Sequence, residues 1–346
     1  MSTYPSPEQP APGQPIYIPV PMQQRPSVLA RLFTLLQWLA CGFFMLVVLT
    51  MMFAPNTLSS DPDNKLEERY VSLAKDGVNK VAIIEIDGTI MDGKEVKKQI
   101  DKIRADDAVK ALVLRIDSPG GTVTGSDYIY HHVKQLVAER KLPIVVSMGA
   151  LAASGGYYSA MACGKQDDVI YAEPTTWTGS IGVIIPHYSV AGLMDKLAIE
   201  DDSIKSAPLK GVGSPTKPMT PEERQVLETL VKESFERFKS IVKSGRPKLT
   251  DDQMKKATTG QVFTTKQALE LGLVDKEGFL EDAIERSLQL ASLDKATTKV
   301  VKYHKPTTVV DALLGASAAV SQPNQLRQLL DLGTPRAYYL FAFPQR

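Results

Sequence analysis

Ser154 is the residue of this sequence that is best placed to act as a nucleophile. It lies in the run ALAASGGYYSAMAC, between Ala150 and Cys163, and Gly155 follows it directly. A serine attacks a carbonyl carbon only if a base takes its proton and N–H donors stabilise the resulting oxyanion. Gly155 would offer an unhindered N–H at a helix start, and Gly120 and Gly121 of the segment SPGG would offer others. The pattern is typical of acyl-transfer chemistry, although small residues also let a helix pack closely on a sheet.

The residues alone leave two candidates for the base that Ser154 would need. His187 ends a predicted strand and would give Ser-His-Asp chemistry. Lys210 lies in a loop bounded by prolines and glycines and would give a Ser-Lys pair. A lysine acts as a base only when it is neutral, and burial lowers the pKa of an amine towards that state. Because lone histidines are often structural and loop lysines are often solvated, the pattern does not choose between them.

Composition excludes several other classes of protein. The formal net charge of the 346 residues is +1, and no run of lysine or arginine predicts a nucleic-acid site. Cys41 and Cys163 are the two cysteines, too few for a disulfide framework. No cysteine or histidine cluster has the spacing of metal ligands. We therefore expect neither a metal nor another cofactor.

The elements that would position Ser154 alternate between strands and helices. Apolar runs beginning at Lys80, Val109 and Leu142 predict buried strands, and the segments between them predict amphipathic helices. Such alternation is typical of an α/β fold with a mainly parallel sheet. Active sites of these sheets gather at the carboxyl ends of the strands, which is where SPGG and ASGG fall.

The chain divides into segments of different composition. The apolar run from Leu32 to Ala54 is long enough to cross a bilayer as a helix, and Arg25 and Arg31 before it favour a cytoplasmic N-terminus. The complete prediction is a disordered proline-rich tail (1–30), a transmembrane helix (31–54), a linker (55–79), the catalytic domain (80–292) and a C-terminal extension (293–346).

Four blocks of the sequence, in this order, resemble the signal peptide peptidase A (SppA) family of membrane-anchored bacterial serine peptidases. They are RIDSPGG, GALAASGGYYSAMA, TGSIGVI and LKGVGSPTKPMTPEER. The resemblance implies the Clp protease/crotonase-like α/β spiral. It also implies Ser154 as nucleophile, Lys210 as general base, Ser180 as the residue that orients the lysine amine, and Gly121 with Gly155 as the oxyanion hole.

The same resemblance implies the setting in which the enzyme works. Members assemble as homo-oligomers with active sites completed between neighbouring subunits, and they cleave remnant signal peptides and other apolar peptides. We therefore expect a single-pass protein of the cell membrane, in contact with lipid, with its peptidase domain on the extracytoplasmic side. The C-terminal run YYLFAF either packs on the domain or occupies the substrate groove of its own oligomer. The alternatives are a Clp-like Ser-His-Asp peptidase that uses His187 and a catalytically silent membrane scaffold.

Overall fold

The structure is a computed structural model that describes residues 28–53, 66–305 and 337–340. Residues 1–63 and 64–346 form separate units. In the first unit, helix α1 spans Val28–Phe53. Within the described side chains, no helix combines the length and the apolar character that crossing a membrane requires. The predicted transmembrane helix over 31–54 is therefore not confirmed, and the predicted tail over 1–30 lies almost wholly outside the described residues.

The second unit is built around a mostly parallel sheet. Its strands are β1 (Glu67–Leu73), β2 (Asn79–Asp87), β3 (Val109–Ser118), β4 (Gly120–Thr122), β5 (Ile144–Ala153), β6 (Ile170–Ala172), β7 (Trp177–Gly179), β8 (Val262–Thr264), β9 (Lys276–Glu277), β10 (Thr298–His304) and β11 (Tyr338–Leu340). The main sheet has the order β1-β10-β2-β3-β5-β6-β9, with β7 paired to β5 and β8 to β7. The strands β10, β2, β3, β5, β6 and β9 run parallel, as the alternation of elements predicts.

The helices of this unit connect the strands and cover the sheet. They are α2 (Lys94–Arg104), α3 (Val123–Arg140), α4 (Gly155–Ala160), α5 (Ala191–Lys196), α6 (Pro221–Gly245), α7 (Asp251–Ala257), α8 (Thr265–Leu271) and α9 (Leu280–Ala291). Helices α2 and α9 pack on the central strands β2, β3 and β5, which are almost continuously apolar and buried. Parallel strands covered on their faces have this composition because neither face meets water.

Two strands of the main sheet lie outside the range predicted for the catalytic domain. β1 falls in the predicted linker and β10 in the predicted C-terminal extension, yet both are hydrogen-bonded members of the main sheet. The Lys80 amine is 2.6 Å from Glu68 of β1 and 2.7 Å from Asp106, and the Tyr303 hydroxyl of β10 donates to Asp106 at 3.0 Å. The sheet therefore extends beyond both ends of 80–292.

Candidate active site at the carboxyl ends of β3, β5 and β7

Ser154 lies at the sharp turn between β5 and α4. It is 1% exposed, and its backbone has φ 53° and ψ −113°, a conformation that residues other than glycine rarely adopt. Its N–H donates to the Gly179 carbonyl at 2.7 Å, which fixes the turn against the end of β7. Among the residues that the structure describes, no side-chain hydrogen bond of Ser154 is formed. A strained serine at a strand-to-helix turn is a recurrent arrangement for a nucleophile.

This strain gives a stability prediction. We expect Ser154→Gly to have a free energy of unfolding about 1 kcal/mol higher than Ser154→Ala, because glycine reaches this backbone conformation without steric cost. Urea unfolding with matched m-values measures the difference. Ser159 offers the matched control, since it lies within α4 and alanine should there be the more stable replacement. Equal stabilities of the two Ser154 variants would contradict the strain.

The glycine pair that begins β4, Gly120 and Gly121, follows a tight turn after β3, and Gly120 lies close to the turn that carries Ser154. Gly120 has φ +94°, and a Cβ atom there would lie 2.5 Å from the Gly155 nitrogen. A Cβ atom at Gly121 would lie 1.8 Å from the Ile90 carbonyl oxygen. Neither position tolerates a side chain, so Gly120 can approach the start of α4, and Gly121 can approach the Ile90 backbone, only as glycines.

The C-terminal strand β11 occupies the groove beside this loop. Tyr338–Leu340 runs antiparallel to β4, with Tyr339 opposite Gly121. On the other edge of β11, Tyr338 and Ile184 exchange backbone hydrogen bonds of 2.9 and 3.0 Å. An extended segment held by backbone bonds on both edges is the geometry of a peptide bound by strand addition.

The Tyr339 carbonyl oxygen lies against the backbones of Gly120 and Gly155, the first residues of β4 and α4. It is 2.1 Å from a Cβ position built on Gly120 and 3.1 Å from one built on Gly155. The N–H of Val123 donates to the Ala337 carbonyl at 3.2 Å. Because hydrogen-bonded pairs recur at every second residue of an antiparallel ladder, the Gly121 N–H faces the Tyr339 carbonyl. A peptide carbonyl thus lies beside the N–H donors and the turn that carries Ser154.

The side chain of Tyr339 fills an aromatic pocket that sequence patterns did not predict. Its ring stacks on Tyr158 of α4 at a centroid distance of 5.0 Å and lies 4.6 Å from Phe238 of α6. Its hydroxyl donates to the Ser234 carbonyl of α6 at 2.8 Å. Tyr157, by contrast, points into the core, where its hydroxyl donates to the Leu273 carbonyl at 2.8 Å. Nothing local in the sequence links Tyr158 to α6.

Ser180 lies next to the Ser154 turn. It follows Gly179, whose Cα is paired with that of Ala153 across β5 and β7, so the two serines end adjacent strands. Ser180 is 5% exposed and also has a positive φ, of 50°. Its hydroxyl donates to the Gly260 carbonyl at 3.3 Å, and its N–H to the Gln261 carbonyl at 2.7 Å. The structure thus brings Ser154, Ser180, Gly121 and Gly155 together.

The two candidate bases are not joined to Ser154 within the described residues. Lys210 is exposed on a single 3-10 turn, Pro208–Gly211, and its amine has no hydrogen bond or ion pair to a described residue. The half-buried His187 ring forms a hydrogen bond between its Nε2 and the Ser214 carbonyl at 3.3 Å. Over residues 66–305 and the other described segments, no group of three or more His, Cys, Asp or Glu side chains is placed to hold a metal ion.

Comparison with known proteins gives matches over the part of the chain that contains this site. Residues 137–294 match peptidase family S49. A candidate protease of Synechocystis sp. is 39% identical over 241 residues, which are 69% of this chain and 84% of that protein. Protease 4 of Salmonella typhi is 35% identical over 68% of this chain and 38% of its own length. A candidate signal peptide peptidase SppA of Enterococcus faecium is 37% identical over 61% and 59%. The chain thus spans less than two thirds of the latter two relatives.

Proposed function

This chain belongs to peptidase family S49, the family of the SppA peptidases, and we propose that it is a serine endopeptidase with Ser154 as nucleophile. The observation that carries the proposal is the Tyr339 carbonyl, which lies between the Gly120 and Gly155 backbones beside the strained serine turn. A peptide bond bound there would present its carbonyl carbon to a nucleophile and its oxygen to N–H donors.

The proposed reaction is acyl transfer in two stages. The Ser154 oxygen bonds to the carbonyl carbon while the base takes its proton, and the N–H groups of Gly121 and Gly155 stabilise the oxyanion. The C–N bond then breaks, and the leaving amine takes the proton from the base. Water hydrolyses the acyl-enzyme by the same route, which frees the carboxylate product and restores the serine hydroxyl.

We propose Lys210 as the base and Ser180 as the residue that orients its amine. The support is the block LKGVGSP, which resembles the family's lysine segment, and the position of Ser180 beside Ser154. Lys210 is exposed and Ser154 is buried. The proposed pair therefore forms between copies of the chain in a homo-oligomer, where contact with a neighbour would bury the lysine amine.

The proposed substrates are apolar peptides, including remnants of signal peptides. The support is the groove, which binds backbone on both edges, and its aromatic pocket. We further propose that the apolar segment 31–54 anchors the chain in the cell membrane with the peptidase domain on the extracytoplasmic side. We also propose that the fold of this domain is the Clp protease/crotonase-like spiral.

A lipophilic fluorophosphonate tests the serine chemistry directly. The serine oxygen would bond to phosphorus with loss of fluoride, and mass spectrometry of the peptide that contains Ser154 would locate the adduct. We expect a single adduct at Ser154. A chain that retains its fold but is labelled at no serine would argue for the catalytically silent scaffold, whereas an adduct at another serine would assign the nucleophile elsewhere.

Release of the chain's own tail should expose the site. We expect Tyr339→Ala to raise the rate of Ser154 labelling at least about tenfold, because removing a fully buried aromatic ring weakens the binding of β11 by several kcal/mol. Tyr338→Ala is the matched control, since Tyr338 binds Ile184 through backbone atoms that the substitution keeps. Equal labelling rates of the two variants would mean that the tail does not cover Ser154.

A further inference from the structure

The strand that leads to Ser154 contains a bulge shortly before its end. Where the register of β3 and β5 shifts, Asp117 of β3 stands opposite three residues of β5, 149–151. A bulge bends the strand that contains it and re-aims the residues that follow, and bulges are frequent next to active sites. Here the residue that follows the end of the bulged strand is Ser154.

The bulge is also the point at which β5 changes its neighbour. Residues 146–148 pair with β6, and residues 151–153 pair with β7. Because three residues of β5 stand against one of β3, the bulge takes up two extra residues of β5. Two residues of a regular strand span about 6.6 Å, so a β5 without the bulge would carry Ser154 that much farther past Gly120. In the structure the Gly120 and Gly155 backbones instead lie side by side.

Asp117 bonds the bulge from the side of β3. Its Oδ1 accepts a hydrogen bond from the Leu151 N–H at 3.1 Å. A Cβ atom built on Gly149 would lie 2.9 Å from the other carboxylate oxygen. Glycine at position 149 thus leaves the space that the Asp117 carboxylate occupies beside the bulge.

Two threonines bond the bulge from the side of β7. The Thr176 hydroxyl, just before β7, donates to the Gly149 carbonyl at 2.7 Å. The Thr178 hydroxyl of β7 donates to the Ala152 carbonyl, also at 2.7 Å. Both threonines are 0% exposed. Buried polar groups with satisfied hydrogen bonds make a structure rigid and specific, so the side chains of both neighbours fix the course of β5.

We propose that Asp117 and Thr176 are positioning residues of the peptidase, which hold the β5 bulge in the shape that places the Ser154 turn against the Gly120 and Gly155 backbones. The inference rests on the proposed function. Both side chains bond the backbone of β5 ahead of Ser154, so they act on the nucleophile through the strand. Their loss should lower kcat and leave KM unchanged, because the groove edges at β4 and Ile184 are retained.

Two pairs of variants in the Tyr339→Ala chain test the proposal. Asp117→Ala and Thr176→Val remove the side-chain hydrogen bonds to the bulge, whereas Asp117→Asn and Thr176→Ser retain an acceptor and a donor. We expect the first pair to lower kcat for a reporter peptide about 10- to 100-fold, the effect of a displacement on the order of 1 Å, with KM within about twofold. The second pair should restore most of the parental kcat.

A control variant separates positioning from stability. The Ser287 hydroxyl is buried in α9 and donates to the Ile284 carbonyl at 2.7 Å, so Ser287→Ala should lower the free energy of unfolding in urea without lowering kcat. Asp117 and Thr176 act from different sides, so either variant tests the bulge if the other fails to fold.

The outcomes distinguish this inference from the proposed function. Folded Asp117→Ala and Thr176→Val chains with the kcat of the parent would overturn the positioning role, as would equal losses in the conservative variants or a rise in KM alone. A parent that is labelled at Ser154 and active would retain the peptidase in each of these cases. A parent that cleaves no reporter and is not labelled at Ser154 would overturn the proposed function, and this inference with it.

Discussion

Replacing Ser154 with alanine should lower kcat/KM for an apolar reporter peptide on the order of 10⁴- to 10⁶-fold, since the nucleophile contributes most of the catalysis in comparable serine peptidases. The residual rate would come from binding and from the N–H groups of Gly121 and Gly155, which the substitution retains. The reporter is a quenched fluorescent peptide with tyrosine before the cleaved bond. The Tyr339→Ala background is preferred for the assay because β11 otherwise occupies the groove.

The substitution also has an informative structural control. Alanine keeps the strained backbone of the turn, so circular dichroism and binding of the uncleaved tyrosine peptide should match those of the parent. A variant that binds the peptide and still cleaves it within tenfold of the parental rate would remove Ser154 from the chemistry. Ser180→Ala would then be the next substitution to test, since Ser180 ends the strand adjacent to the Ser154 turn.

Replacing Lys210 with alanine should lower kcat/KM by about 10² to 10⁴-fold, the range expected for loss of a positioned general base. His187→Ala should change the rate by less than about twofold if His187 does no proton transfer. The His187 ring is bonded to the Ser214 carbonyl and not to Ser154. The opposite result, with His187→Ala inactive and Lys210→Ala active, would favour Ser-His-Asp chemistry.

Mixing two inactive variants tests whether the proposed pair forms between copies. Subunits carrying Ser154→Ala keep Lys210, and subunits carrying Lys210→Ala keep Ser154. When the two are unfolded together and reassembled at equal amounts, random neighbours should restore about a quarter of the parental activity. Recovery near zero, with oligomers of normal size, would place serine and base in the same subunit or remove Lys210 as the base.

The sequence predicted which residues lie together in the central part of the candidate site, because its signals are local. β-Branched runs that end in SPGG and ASGG place glycines and a serine at strand ends, and the structure brings Gly121, Ser154 and Gly155 together there. The resemblance to a known family added Ser180, which follows the strand next to β5. Local pattern was sufficient because each of these residues is positioned by the strand that immediately precedes it.

The parts that the sequence did not predict depend on contacts between distant segments. β1 is polar along much of its length and was assigned to a linker, but its backbone pairs with β10, far away in the chain. The aromatic pocket joins Tyr158, Phe238 and Tyr339, each on a different element. The run YYLFAF is compatible with packing on the domain or with a groove in the oligomer, and the structure places Tyr338–Leu340 in the groove of its own chain. No periodicity within one segment encodes such pairings.

The attachment of β11 to the chain whose groove it fills has a consequence for kinetic measurements. A tethered occupant competes at an effective concentration that the connecting chain sets, commonly about millimolar, and this value does not change when the protein is diluted. Occupancy by the tail should therefore be independent of protein concentration, whereas occupancy by a neighbour's tail would fall on dilution. Inhibition constants measured on the parental chain would be larger than the intrinsic ones by a constant factor. The ratio of the parental inhibition constants to those of the Tyr339→Ala variant would give the free energy with which the tail occupies the groove.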